Sequence, residues 1–307
     1  MSQVVCAVVV AFHPEHDIIK SVISETAPQV ETVIVVDNAN QAELRDLSEE
    51  LGAVYTSFAS NKGLAFAQNH GISIALKNGA THVLLMDQDS VPRNNMVRTM
   101  LDIEQELRQQ GTQKVGAIGA RYVGRHAENE SFFVRFGWFK FHRVFCSGTD
   151  QRFVRADFLI SSGTLITKEA LEKVGMMDDE LFIDHIDTDW FLRANHEGYF
   201  SYGACDAAME HSLGESTVRV WLGRWRYLPK HKSFRYYYMF RNSLLIYRKT
   251  YAPIKWIIND IVRLGFILIF YSLFVEPRAQ RLKMISKGII DGLSSRKGNH
   301  MAVSTNG

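Results

Sequence analysis

The sequence predicts an α/β protein built on a doubly wound, mostly parallel sheet. Strand-like and helical stretches alternate through the first 123 residues, which is the chain order of such sheets. The strand-like runs are almost wholly apolar, as strands covered on both faces are. Two of them stop on an aspartate, Asp37 and Asp87. Ligands of these sheets bind outside the carboxyl ends of the strands, so acids at those ends draw attention.

Each element has its own reason. Residues 4–11, VVCAVVVA, form a β-branched run ended by Phe12-His13-Pro14, and 16–27 reads as a helix. A second strand, 32–38, is followed by an amphipathic helix at 42–52 that stops at Gly52. Residues 53–59 make a short strand. The alanine-rich 63–79 makes a helix closed by Gly79. The strand 81–87 precedes a helix at 93–110 and a strand at 115–123. Residues 157–167, DFLISSGTLIT, are strand-like but broken by Ser161-Ser162-Gly163, a small polar interruption that marks a bulge or a close backbone approach.

Composition narrows the function classes. The 307 residues are 46% hydrophobic, enough for one large core or two unequal ones. A net charge of +2 argues against a protein basic throughout, such as many nucleic-acid binders. Cys6, Cys146 and Cys205 are far apart, with no CxxC and no even framework, so the expectation is free thiols in a reducing cytoplasm. The N-terminus lacks a basic region before its first apolar run, so no signal peptide is expected.

Three acidic groups carry the chemistry. Asp37 fits a turn in DNAN or a ligand contact equally well. Asp87 and Asp89, in LLMDQDS, end a buried strand on two carboxylates one residue apart. Buried charge is costly unless paired or bound to a cation, and hard divalent cations take one or two carboxylates with substrate phosphates completing the shell. Residues 181–198 hold Asp184, Asp187 and Asp189 among Phe182, Ile183, Ile186, Trp190 and Phe191. Asp189 and Arg193 are i,i+4 partners on a helix. A carboxylate set in apolar surroundings can be tuned as a general base. No Walker A or GxGxxG motif is present; Gly63 and Lys62 open a helix whose first N–H groups suit an anion, although Asn-Lys-Gly is also ordinary turn chemistry.

Taken together, VVVAFHP, VIVVDNAN, NKGLAFAQNHGI and LLMDQDS, in this order and spacing, resemble the nucleotide-sugar domain of family 2 glycosyltransferases. That resemblance implies the GT-A fold, a Rossmann-like mixed sheet flanked by helices. It implies that Ala11, Phe12, His13 and Asp37 lie at the base and ribose, with Asn61, Lys62, Gly63, Ala65 and Asn69 beside the nucleotide. It implies that Asp87 and Asp89 hold Mg²⁺ or Mn²⁺ on the donor diphosphate, joined by His211 of an H-x-x-G ending at Gly214. The segment around Asp187 resembles the family's E/D-D-x-D-L/W motif, which makes Asp187 the base and Asp189 its support or an acceptor contact. Ile186 replaces the usual preceding acid, which keeps Asp184 as a rival. Ser161, Ser162, Gly163, Trp190 and Arg193 fall on the acceptor side.

The tail adds a partner class. From Ser216 to Asn259 there is no acid, while Arg, Lys, Trp and Tyr interleave, and a run of about a dozen apolar residues follows Arg263, short of the roughly 20 that span a bilayer. This reads as an interfacial helix on an anionic membrane, or alternatively as a buried core helix; no nucleic-acid motif accompanies it. FRYYYMFRNSLLIYRK, RLKMISKGIIDGLSSRKG and FIDHIDTDWFLRA resemble bacterial rhamnosyltransferases. The expectations are therefore a catalytic domain over residues 1–215 and a helical C-terminal region over 216–307. The reaction expected is inverting transfer of L-rhamnose from dTDP-L-rhamnose to a saccharide or polyprenyl-diphosphate-linked acceptor, in O-antigen-like synthesis at the inner face of the plasma membrane. A UDP-hexose donor, or a non-catalytic binding module on the same fold, are the alternatives.

Overall fold

The computed structural model describes residues 3–123, 131–138, 140–147, 151–211, 217–221 and 225–299. Of residues 211, 217, 220, 221, 225–227 and 229 it describes the backbone alone. The first half runs β1 (Val5–Ala11), α1 (His16–Thr26), β2 (Thr32–Asp37), α2 (Ala42–Glu50), β3 (Val54–Ser57), α3 (Leu64–Lys77), β4 (His82–Asp87), β5 (Ser90–Pro92), α4 (Met96–Gln109) and β6 (Val115–Val123). A hairpin follows, β7 (Phe132–Phe136) and β8 (Phe141–Phe145), then β9 (Phe153–Ala156), β10 (Thr164–Thr167), α5 (Lys168–Val174), α6 (Ile186–His196) and β11 (Phe200–His211). The remainder is β12 (Thr217–Trp221), β13 (Trp225–Pro229), α7 (Ser233–Ile246), α8 (Ile254–Phe274) and α9 (Arg278–Leu293).

The main sheet has the order β3-β2-β1-β4-β10-β6-β11-β5, with β9 also on β11. β1 to β4 pair in parallel, β10 runs antiparallel to both its neighbours, and β6 and β11 are parallel again. Both faces are covered. Cys6, Val8 and Val10 of β1 enter the core under α3, α5 and α6, while Val5, Ala7, Val9 and Ala11 enter the core under α1, α2 and α4. An unbroken apolar strand results, because successive residues must serve opposite cores. Each fully buried Val, Leu or Ile contributes about 1.5–3 kcal/mol.

Register brings the acids together. Ala11 lies opposite Asp37 on β2, and Val10 opposite Asp87 on β4. Asp37 and Asp87 thus flank the end of β1 at one edge of the sheet.

Two expectations needed correction, and the helical C-terminal region gained an element. Residues 157–163 are a loop rather than strand, and only Thr164–Thr167 pair, because the segment turns over the end of β4. The C-terminal region opens with the hairpin β12–β13 before its helices, since Val and aromatic residues there favour strand. The cysteines are not all free: Cys146 and Cys205, 59 residues apart, form a disulfide, and Cys6 is the free one. The β7–β8 hairpin folds back towards β11 and brings their Cα atoms to 5.5 Å.

Candidate active site

The carboxyl ends of β1, β2 and β4 form the floor. Gln88, between the two aspartates, accepts a hydrogen bond from the Phe12 N–H at 2.7 Å and ties the end of β4 to that of β1. Phe12 and His13 are exposed beside it, and Ala11 is buried. Asp37 has no free oxygen lone pair to spare in the usual directions. Its carboxylate accepts from the N–H groups of Ala39, Asn40 and Gln41 and from the Tyr55 hydroxyl. Those bonds make the turn into α2, so the turn reading describes what Asp37 does here.

The loop before α3 differs from its expected form. The N–H groups of Lys62, Gly63 and Leu64 already donate, to the Asn38 side chain at 2.8 Å, the Asn61 side chain at 2.9 Å and the Phe182 carbonyl at 2.7 Å. They are not an open anion cradle. Gly63 (φ +92°) is required for another reason: a Cβ there would stand 2.5 Å from the Phe182 ring. Asn69 bonds both ways with the Met177 backbone, at 2.9 Å each, and so fastens the loop before α6 to α3. Ala65 is buried beneath the helix. Lys62 remains exposed at the rim.

Opposite this rim stand the other acids. Asp187, in the first turn of α6, accepts the Thr188 N–H at 2.9 Å, and the Ser161 backbone lies near enough to favour its charge. Burial pushes its carboxyl up to about 6, with the charge of Asp87 adding to the rise and the two backbone groups opposing it. Asp87 is pushed up to about 7 by burial and then by Asp89, with Arg235 opposing. Asp87, Asp89 and Asp187 thus crowd negative charge into one place. The Ser161–Gly163 loop joins the two acid-bearing elements. The Asp87 N–H donates to the Ser162 hydroxyl, and the Gly163 carbonyl and N–H bond Ala120 and Leu85.

Asp184 is occupied by a partner that sequence reasoning did not single out. Arg235, from α7, makes two contacts to it at 2.6 and 3.3 Å. Phe182, Asp184 and His185 all have positive φ, between 63° and 66°. Strained backbone of this kind persists only where its surroundings over-determine it. Here α7 does so. Asn242 donates to the carbonyls of Leu181, Ile183 and Asp184, and buried Arg241 donates to those of Glu180, Leu181 and Gly298. The Arg-Asn pair in FRYYYMFRNS was read as part of a basic surface; it is instead the clamp behind the acidic loop. The aromatic residues Tyr236, Tyr237 and Tyr238 are likewise core.

Three expected site residues face inward. Asp189 has no exposed surface; it pairs with Arg193 at 3.0 Å and accepts from Tyr251. Arg193 also donates to the Val174 and Met176 carbonyls, and Trp190 is fully buried with its ring N–H on the Gly175 carbonyl. All three brace α6 against the preceding loop rather than face an acceptor. His211 closes β11 with its backbone paired to Ser90, one residue from Asp89; its side chain, and Gly214, lie outside the described residues.

Comparison with known proteins bears on this edge of acids. Residues 7–175, more than half the chain, match the model of glycosyl transferase family 2. The chain is a family 2 glycosyltransferase. It is 30% identical, over 97% of both chains, to the dTDP-rhamnosyl transferase RfbF of Shigella flexneri. Its fold is that of S. aureus TarS 1–349 in complex with UDP-GlcNAc, with TM-score 0.59 and 12% identity over 94% of this chain and 81% of that one. It also resembles GalNAc-T7 with UDP, GalNAc and Mn²⁺, with TM-score 0.56 and 12% identity over 88% of this chain and 56% of that one.

The residues fit a metal by their chemistry. Among the described residues no group of three His, Cys, Asp or Glu side chains converges as a closed metal site. Two hard carboxylates at a strand end, one of them pushed up to about 7 by burial and then by its neighbour's charge, suit a divalent ion that takes the rest of its shell from phosphate and water.

Proposed function

We propose that this family 2 enzyme transfers L-rhamnose from dTDP-L-rhamnose to a saccharide or polyprenyl-diphosphate-linked acceptor, with inversion. The observation that carries the transfer chemistry is the meeting of Asp87 with Asp187 across the Ser161–Gly163 loop. The likeness to RfbF along nearly the whole of both chains supports the donor. In the reaction the acceptor oxygen attacks the anomeric carbon. The bond from that carbon to the diphosphate oxygen breaks, dTDP leaves, and Asp187 takes the acceptor proton. The Thr188 amide holds the Asp187 carboxylate, and burial keeps it basic enough for the task. Asp87 and Asp89 would hold Mg²⁺ or Mn²⁺, which would supply charge neutralisation for the departing diphosphate. Phe12 and His13 offer exposed rings beside the strand ends for the nucleoside.

This reading gives Asp184 the role of partner to Arg235, and leaves Asp187 as the base. It also sets the enzyme on the inner face of the plasma membrane. Support comes from α8: Ile261, Val262, Phe266, Ile269, Leu273 and Phe274 are all exposed. Its other side packs Trp256, Leu264, Phe270 and Tyr271 into the protein. A helix that uses one face inside the protein and leaves an apolar ridge outside suits the bilayer interface better than a span. The donor is tested by calorimetry with Mn²⁺. We expect dTDP-L-rhamnose to bind at least tenfold tighter than UDP-glucose or UDP-GlcNAc; the reverse order would move the enzyme to a UDP-hexose.

A further inference from the structure

Beside the base lies a cavity that the motifs do not account for. Its volume is about 220 Å³, and it opens between the end of β6, strand β7 and residues 158–160. Tyr122, Phe132, Phe133 and Phe158 supply aromatic walls, with Ile160 beside them. Among the described residues one cation, Arg121, enters the lining, and its buried Nε has no hydrogen-bond partner. An unpartnered buried donor marks a place where a ligand oxygen would relieve a cost. The cavity adjoins the catalytic loop directly: Ile160 lines it, and the backbone of the next residue, Ser161, lies near enough to Asp187 to favour its charge.

We propose that this cavity binds the acceptor's terminal sugar ring. The proposal rests on the transferase reading and adds where the acceptor is recognised. The volume lies below the roughly 300–1,000 Å³ of sites for drug-sized ligands, which favours one compact ring over a long lipid chain. The aromatic walls offer flat apolar surface to the C–H faces of a pyranose, and the Arg121 side chain in the lining offers its charge and N–H donors to a ring or hydroxyl oxygen. A ring seated there presents its rim to the Ser161–Asp187 side, where the proton must leave.

The test reads binding rather than turnover. Saturation-transfer NMR on the full chain would use methyl glycosides of L-rhamnose, glucose, galactose and N-acetylglucosamine, with farnesyl phosphate as the lipid probe. Calorimetry with dTDP and Mn²⁺ would run alongside. Ile160→Trp fills the cavity from a rim position that is 38% exposed, so the fold should hold; Arg121→Ala removes the donor without adding bulk. We expect saturation onto at least one glycoside, reduced at least fivefold in Ile160→Trp and at least twofold in Arg121→Ala, with dTDP affinity within twofold in both. Absence of signal from every glycoside, or signal unchanged in both variants, overturns the proposal. Saturation of farnesyl phosphate alone, lost in Ile160→Trp, overturns it in favour of a lipid occupant. Failure of the wild type to bind dTDP would instead sink the donor reading, while the glycoside signal still decides the cavity.

Discussion

Asp189 and Asp187 sit two residues apart and have opposite fates. Spacing and acidity made both candidates in the sequence, because tertiary contacts with Tyr251 and Ser161 are not written locally. Asp189→Ala removes a fully buried carboxylate that Arg193 and Tyr251 share, leaving half-buried Arg193 with only its two carbonyl partners and Tyr251 without its acceptor, and each buried group left unsatisfied costs about 1–3 kcal/mol. We expect a large loss of thermal stability from it, measured by calorimetric unfolding, with donor affinity kept in the molecules that remain folded. A stable, inactive Asp189→Ala protein would return that residue to the chemistry. Asp87 and Asp89 stand differently, at a strand end with little core packing around Asp89. Asp89→Ala should unfold at the wild-type temperature within a few degrees and lose the metal-dependent part of nucleotide binding; undiminished Mn²⁺-dependent binding would remove Asp89 from the metal site. The raised carboxyl of Asp187 has a sign that can be worked out. Its folded value is about 6 against an ordinary value of 3.8, so the fold retains a proton that the unfolded chain releases. Asp187 therefore takes stability away as pH rises from about 4 to 6, and does no more beyond that. Catalysis runs the other way, because only the ionised base accepts a proton. Single-turnover transfer should rise through a limb near pH 6, and a rate flat from pH 5 to 8 would contradict the assignment.

The elements were legible where one face or one period decides them. The Rossmann-like half was read with ends shifted by one to three residues at its helices, because unbroken apolar strands and glycine stops are local signals. The loop at 181–185 was not, since its conformation is imposed by α7, about 60 residues later in the chain. Asn242→Ala removes the donors to three carbonyls that hold Phe182, Asp184 and His185 at positive φ. Each buried group left unsatisfied costs about 1–3 kcal/mol. We expect faster hydrogen exchange across 181–187 and a turnover loss with donor affinity unchanged; exchange identical to wild type would mean that the clamp is dispensable. The α7 part of the basic-aromatic stretch was hidden for a similar reason: Tyr and Arg look like surface in composition, but α7 packs its tyrosines inward against α9. Gly288 permits that approach, as a Cβ there would stand 2.4 Å from the Tyr237 carbonyl. The proposed membrane surface is left to α8. Replacing Ile269 and Phe274, 62% and 66% exposed, with glutamate should abolish pelleting with anionic liposomes while leaving donor binding intact. Equal pelleting of that variant and the wild type would detach α8 from the membrane.

For the whole molecule, the account joins two halves. The sheet edge at the ends of β1, β2 and β4 is the proposed donor floor, and the C-terminal helices, which have a core of their own around Tyr236, Phe240, Leu264 and Phe270, set the loop that leads into α6 and the proposed base Asp187. Removing the last segment should therefore disturb chemistry far from it, because the Gly298 N–H and carbonyl bond Glu180 and Arg241 beside the acidic loop. The central claim is that Asp187, and not Asp184, removes the acceptor proton in an inverting transfer. It is tested most directly by single-turnover transfer from saturating dTDP-L-rhamnose and Mn²⁺ to a lipid-linked saccharide, with Asp187→Asn and Asp184→Asn compared and donor affinity measured in parallel. Loss of a general base costs about 10²–10⁴-fold. The account predicts a loss of at least a hundredfold in Asp187→Asn with donor affinity within twofold, and a smaller loss in Asp184→Asn, whose amide still accepts from Arg235. An active Asp187→Asn beside a dead Asp184→Asn would contradict it.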